Sequence, residues 1–280
     1  MNKKPILATA CALALAVSAV SLTACTGGTA GVSVASSADA TDATAAGTTS
    51  SVTIYVTEPQ TTQAPARNVE DYVYTAEEYE IAYSGAFLLT GQDYGESDTA
   101  PARLPQLTMN SVDADKINTE IHQRLDPLFD SYRESEYVMG RADYVAVLNG
   151  DVLSLAIESR SVDTPNSSFL VYNINVVTGE VLSNSQVIAI SGISEDTAYD
   201  AIRSDANARC DETKEKVNNN PQLLEQLEQV RERTLSEENL SKADFFFNAD
   251  GKLFGVYRYY WIAGAENYGA IVETDGSFQG

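Results

Sequence analysis

Hydrophobic and polar positions change their period several times along this chain, and each change marks an element. In "EDYVYTAEEYEIAYSGAFLLTG", which begins at Glu70, the residues Tyr79, Ile81 and Tyr83 share one side at a period of two, which predicts strands entering the fold. In "SVDADKINTEIHQRLDPLFDSY" the period lengthens, and Ile117, Ile121, Leu125 and Leu128 fall on one helical face. Ser111 or Asp113 is placed to cap that helix, and Pro127 is expected to end or kink it.

The sharpest local signal is "DYVAVLNGDVLSLAIESR", where Asn149-Gly150 separates two apolar runs. This dipeptide readily takes the two positive φ angles of a tight hairpin, so paired antiparallel strands are expected. "SSFLVYNINVVTGEVLS" continues the alternation, with Phe169, Val171, Asn173 and Asn175 on one side and a turn at Thr178-Gly179. A helix capped by Ser194 should run past Cys210. A second should begin with Asn220 as cap and Pro221 at its first position, presenting Leu224, Leu227 and Val230.

The last stretch, "ADFFFNADGKLFGVYRYYWIAGAENYGAIVE", places an Asp250-Gly251 turn between strand-like runs. It sets Tyr257, Tyr259 and Trp261 on one strand face. Strands grouped on both sides of a helical insert, without a repeated strand-helix-strand rhythm, predict an α+β fold of antiparallel β-sheets with packed helices. Its length suits one domain or two small subdomains, divided here as 69–142 and 143–280.

The amino terminus has another character. Lys3 and Lys4 precede an apolar run from Pro5 to Val20, and Leu22-Thr23-Ala24 leads into Cys25, the order of a secretory signal peptide over residues 1–24. The apolar part is shorter than the roughly 20 residues of a bilayer crossing. Leu-Thr-Ala-Cys resembles the bacterial lipobox, which implies cleavage before Cys25, lipidation of its thiol, and an anchor on the outer face of the cell membrane. In a cell with two membranes the outer one is the alternative. An ordinary signal cut near Ala24 is the competing reading. Residues 25–68 are rich in Ser, Thr, Ala and Gly, with too little apolar surface to fold, and read as a tether spanning about 35 Å on average. Within it Val52, Ile54 and Val56 alternate as a stray strand might.

Charge narrows the partners. Removing Lys3 and Lys4 with the signal peptide takes the formal charge from −22 to −24, since that stretch carries no acid. So acidic a surface repels phosphate backbones and excludes nucleic acid as a partner. Cationic proteins or metal ions are favoured, unless the charge serves solubility alone. Cys11 leaves with the signal peptide and Cys25 is lipidated. Cys210 is then left as a small apolar residue in line with Tyr199, Ile202 and Ala206.

Few residues offer chemistry. His122 is the single histidine and sits beside the apolar stripe of its helix, which suits a solvated or half-buried role better than a catalytic one. No phosphate loop, nucleophile elbow or zinc-protease motif occurs. "NADG" at Asn248–Gly251 lacks the remaining ligands of a calcium loop and reads as a β-turn. No metal and no cofactor is expected. A carboxylate-dependent hydrolase of wall polysaccharide stays open as an alternative, because paired acids are distant in sequence. The face of Tyr257, Tyr259 and Trp261 is the candidate binding surface, for sugars or a protein partner, with plain core as the other reading.

Taken in order, "LPQLTMNSVDADKINTEI", "VLSLAIES", "YNINVVTGEVLS", the long helical stretch and "FFFNADGKLFGVYRYYWIAGAENYGAIVE" resemble the extracytoplasmic domain of RsiV-type anti-sigma factors. Similar domains precede polysaccharide deacetylase domains. The likeness runs from about Leu104 to Glu273. It implies a non-catalytic binding or sensing domain, with a cationic protein such as lysozyme, or cell-wall material, as partner. Where family members often carry a Gly-Gly-Ala-His loop, this chain has "SRSVDTPNSS", Ser159 to Ser168. It also lacks the span and cytosolic segment that sigma-factor control needs. A structural envelope lipoprotein is the third reading.

Overall fold

The computed structural model of this chain describes residues 67–95, 98–134, 140–161, 166–262 and 267–279. The expected signal peptide, Cys25, the tether up to residue 66 and the alternation at Val52, Ile54 and Val56 lie outside them. Where the description begins, Arg67 pairs with Asp151, and the Asp71 carboxylate accepts the Asn68 backbone N–H at 3.0 Å across a single 3-10 turn.

The chain enters through β1 (Val73–Ala82), passes through the short strands β2 (Gly85–Ala86) and β3 (Asp93–Tyr94), and returns as β4 (Thr99–Leu107) antiparallel to β1. Helix α1 (Val112–Glu134) follows, and Ser111 is its cap: Ser111 Oγ accepts the Ala114 N–H at 3.1 Å. Pro127 does not end this helix, which continues to Glu134. An interior proline costs roughly 3 kcal/mol. Leu125 and Phe129, at 3% and 0% exposure, flank it on the buried face, and burial of such side chains stabilises by about 1.5–3 kcal/mol each. Packing therefore outweighs the lost hydrogen bond.

A meander of β5 (Gly140–Asn149), β6 (Val152–Ser161) and β7 (Ser167–Asn175) forms the first three-stranded sheet. Its first hairpin differs in detail from expectation. Asn149 pairs with Val152 inside the ladder, the loop is Gly150-Asp151, and Gly150 alone takes positive φ, +56°. Glycine at the first loop position supplies the one unusual angle, so asparagine is not called on for a second.

Four helices come next: α2 (Asn184–Ile190), α3 (Glu195–Val217), α4 (Pro221–Thr234) and α5 (Glu237–Leu240). The Ser194 side chain caps α3 on Thr197 N, and Asn220 caps α4 on Gln222 N and Leu223 N, both as expected. The chain closes as β8 (Asp244–Phe247), β9 (Lys252–Tyr260) and β10 (Asn267–Ser277), a second three-stranded antiparallel sheet with β9 in the centre. The fold is α+β in small antiparallel sheets.

Alternation along the strands sets the layers. One face of the first sheet buries Leu153, Leu155, Ile157 and Ile174 against Ile117, Ile121 and Phe129 of α1. Its other face meets the second sheet through Ala156, Phe246 and Val256. The far face of that second sheet packs Phe245, Phe247, Tyr257 and Tyr259 on Ile202, Ala206, Cys210 and Leu227 of the helical insert. A polar bridge ties the sheets together. Ser154 donates to Asn173 Oδ1 at 2.7 Å, Asn173 Nδ2 donates to the Phe245 carbonyl at 2.6 Å, and Phe247 N–H donates to Ser154 Oγ at 3.1 Å. The expected junction at 142/143 falls inside β5, and residues on both of its sides share the α1 core, because a helix covering a sheet face must use strands from further along the chain. Thr62–Gly280 is a single compact unit.

Candidate functional site

The outer end of the first sheet carries charge where its middle carries apolar side chains. The ladder pairs Arg141 with Arg160 and Asp143 with Glu158, and Arg160 in turn with Ser167, so these five residues share one face. Arg141 is fully buried. Its Nη2 donates to Asp143 at 2.9 Å, its Nε to the Pro101 carbonyl at 2.7 Å, and its guanidinium lies 3.7 Å from the Phe87 ring centre and 4.7 Å from that of Tyr94. Glu158, also fully buried, accepts the N–H groups of Leu88 and Leu89 at 2.7 and 3.0 Å and is held by Arg160 and Ser167. Buried charges persist only when paired and hydrogen-bonded. Here they fasten the segment after β2 to the sheet.

That fastening builds one wall of a cleft of about 310 Å³. Leu88 lines it from the segment after β2, Arg160 from the first sheet, Arg209 from α3, Tyr259 and Tyr268 from the second sheet, and Trp261 from just beyond the end of β9. Trp261 is partly exposed, and its ring centre stands 6.0 Å from Tyr259 and 6.5 Å from Tyr268, the latter nearly edge-on. Both guanidinium groups are held from behind. Arg209 Nε donates to Asp205 at 2.7 Å and Arg160 Nε to Ser167 Oγ at 2.6 Å.

The floor of the cleft is a crossing of strands. At Gly269, β10 passes so close to β7 that a Cβ there would lie 2.2 Å from the Phe169 ring and 2.7 Å from the Ser167 carbonyl. Beyond Ser167 and Gly269 opens a second, more polar cavity of about 340 Å³, lined by Arg124, Ser168, Lys242, Asp244 and Arg258. Burial raises the pKa of the Asp244 carboxyl, against a hydrogen bond from Asn184 and the charge of Arg258, and the charge of Glu120 adds to the rise.

The expected binding face divides along its length. Tyr257, at 1% exposure, is core, and its hydroxyl donates to Asp205 at 2.6 Å; burial, then that hydrogen bond, pushes its pKa up. Tyr259 is 5% exposed, reaches the cleft with part of its ring, and has its hydroxyl 3.7 Å from the buried Cys210 sulfur. Of the three, Trp261 offers the contact surface. Sequence reasoning missed Tyr268, Arg160 and Arg209. Tyr268 lies opposite Tyr259 in the β9–β10 ladder, a register visible only once the strands are paired. The two arginines come from other elements. His122 is partly exposed, bonded through Nδ1 to Asp126 at 2.8 Å, and stands apart from both cavities. Asn248 Oδ1 accepts the N–H of Asp250 and Lys252, so "NADG" is a turn closed by its own side chain.

Among the described residues, no group of three His, Cys, Asp or Glu side chains is placed to hold a metal ion, and no helix is long and apolar enough to cross a membrane. Comparison of the chain with protein-family models, curated proteins and solved structures returns no match.

Proposed function

We propose that this chain is a lipid-anchored, extracytoplasmic binding domain, non-catalytic, held on the outer face of a bacterial cell membrane through Cys25. It meets its partner at the cleft around Trp261. The partner is a cationic protein such as lysozyme, or cell-wall material. The observation that carries the reading is the partly exposed Trp261, flanked by Tyr259 and Tyr268 at a cavity edged by two braced arginines. Tryptophan, tyrosine and arginine are the residues that dominate binding surfaces. The acidic charge supports attraction of a cationic partner, and the RsiV-like segments support a wall-proximal one.

Calorimetric titration of the full chain with lysozyme at about 20 and 150 mM salt tests the protein arm, because the Debye length shrinks toward roughly 8 Å over that range. Saturable one-to-one binding at the higher salt, weakened by Trp261→Ala, is the expected result. Heat that vanishes with salt would reduce the interaction to unspecific charge attraction. The anchor is tested separately: Cys25→Ser should move the protein from the membrane fraction to the soluble one.

The Asp244 cavity favours a second reading, a carboxylate-dependent hydrolase of wall polysaccharide. A half-buried acid of raised pKa beside Lys242 and Arg258 suits a general acid. Release of peptidoglycan fragments that is abolished by Asp244→Asn would establish it in place of the binding reading.

A further inference from the structure

We propose that the Trp261 cleft is a sugar-binding site that takes one or two rings of an acetamido-type glycan. The inference rests on the binding-domain reading and decides which of its two ligand classes the cleft accepts. A volume of about 310 Å³ lies at the low end of the roughly 300–1,000 Å³ of small-molecule sites. It suits a ligand of one or two rings. The walls match a sugar in kind. Trp261 and Tyr268 present aromatic surface to the opening, and the electron-rich face of such a ring attracts the weakly positive C–H face of a pyranose. Leu88 adds an apolar contact of the size an acetyl methyl needs.

The polar groups point the same way. A guanidinium is a planar fork of donors with no acceptor, so Arg160 and Arg209 select oxygen-rich ligands such as hydroxyls and acyl carbonyls. Each is already braced, Arg160 by Glu158 and Ser167 and Arg209 by Asp205, so less side-chain freedom is lost when a ligand arrives. The same acids neutralise both cations. The cleft therefore offers directed donors without net positive charge, which suits an uncharged glycan and not a polyanion.

The sequence supplies the reporter, since Trp261 is the only tryptophan. The full chain, purified in a detergent without sugar headgroups, is titrated with di-N-acetylchitobiose while tryptophan emission is recorded. Expected is a saturable change in emission. Tyr268→Ala, its melting temperature unchanged, should weaken the midpoint by about tenfold, equivalent to about 1.4 kcal/mol. Calorimetry on Trp261→Ala should show a loss of at least the same order. Cellobiose, which lacks the acetamido groups, should bind more weakly. Unchanged emission through millimolar chitobiose would overturn the proposal. If lysozyme still binds at physiological salt in that case, the sugar assignment fails alone; if neither ligand binds, the binding-domain reading falls with it. A response that Tyr268→Ala and Trp261→Ala leave intact would also overturn it, by placing the sugar elsewhere.

Discussion

The carboxylate of Glu158 accepts the backbone N–H of Leu88 at 2.7 Å across 70 residues of sequence, and this one contact sets the wall of the cleft. The same oxygen takes the N–H of Leu89 at 3.0 Å, while the other is held by Ser167 and Arg160. Glu158→Ala would leave two N–H groups and the Ser167 hydroxyl without their acceptor and Arg160 without its counter-charge. Removing one partner from a buried charge network costs about 3–5 kcal/mol. Denaturant unfolding should show that loss. Hydrogen exchange should show Leu88 and Leu89 opening well before the sheet; unchanged protection there would contradict the clamp.

Gly269 is required by approach, not by dihedral angle. Alanine at this position would drive a methyl into the Phe169 ring and the Ser167 carbonyl, and such overpacking costs about 1–3 kcal/mol. Since both cavities share Gly269 as floor, Gly269→Ala should also shift the emission of Trp261. An unaltered melting temperature together with unaltered emission would show that the strands cross less closely than described.

Asp244 makes stability depend on pH with a definite sign. Burial, the largest cause, holds its carboxyl above the ordinary 3.8. The native state therefore keeps this proton longer than the unfolded chain does. Its favourable contribution is complete below about 3.8 and is lost as pH rises through the raised value, where the ionised form must be buried. Asp244→Asn, whose amide oxygen still suits the Asn184 side chain, should be more stable than the parent at neutral pH. The advantage should shrink on acidification and disappear below 3.8. Melting curves of both proteins across that window check it, and an advantage independent of pH would assign the effect to packing.

Tyr257 lies in β9 and Trp261 just past its end, and the two should respond differently to truncation. Tyr257 is 1% exposed and bonded to Asp205, so Tyr257→Ala should cost about 3–5 kcal/mol, as large buried aromatics do. Trp261 keeps part of its ring in solvent, and Trp261→Ala should cost clearly less. Equal losses in chemical denaturation would make Trp261 a core residue and remove the cleft's main contact.

Much of the local structure was legible in the sequence because it depends on neighbours along the chain. Ser194 and Asn220 cap helices by bonding N–H groups two or three residues ahead, and Gly150, Gly179 and Gly251 take positive φ at turns their dipeptides announce. Even the burial of Cys210 followed from its spacing to Ile202 and Ala206. Pro127 is the instructive exception. Its helical cost is local, but the packing of Leu125 and Phe129 that outweighs it involves strands from elsewhere.

By itself, the sequence determined an α+β order of elements, a strongly acidic chain, and an aromatic run toward its end. Only the tertiary structure decided what that run does. Alternation places Tyr257, Tyr259 and Trp261 together, yet it cannot tell how deeply each is covered: Tyr257 and Tyr259 are buried under the helical insert, while Trp261 packs at the edge of that core and stays partly exposed. Nor does any local pattern bring Leu88, Arg160, Arg209 and Tyr268 to one cleft. Their meeting depends on strand register and on one glycine that lets two backbones touch, both of them properties of long-range pairing.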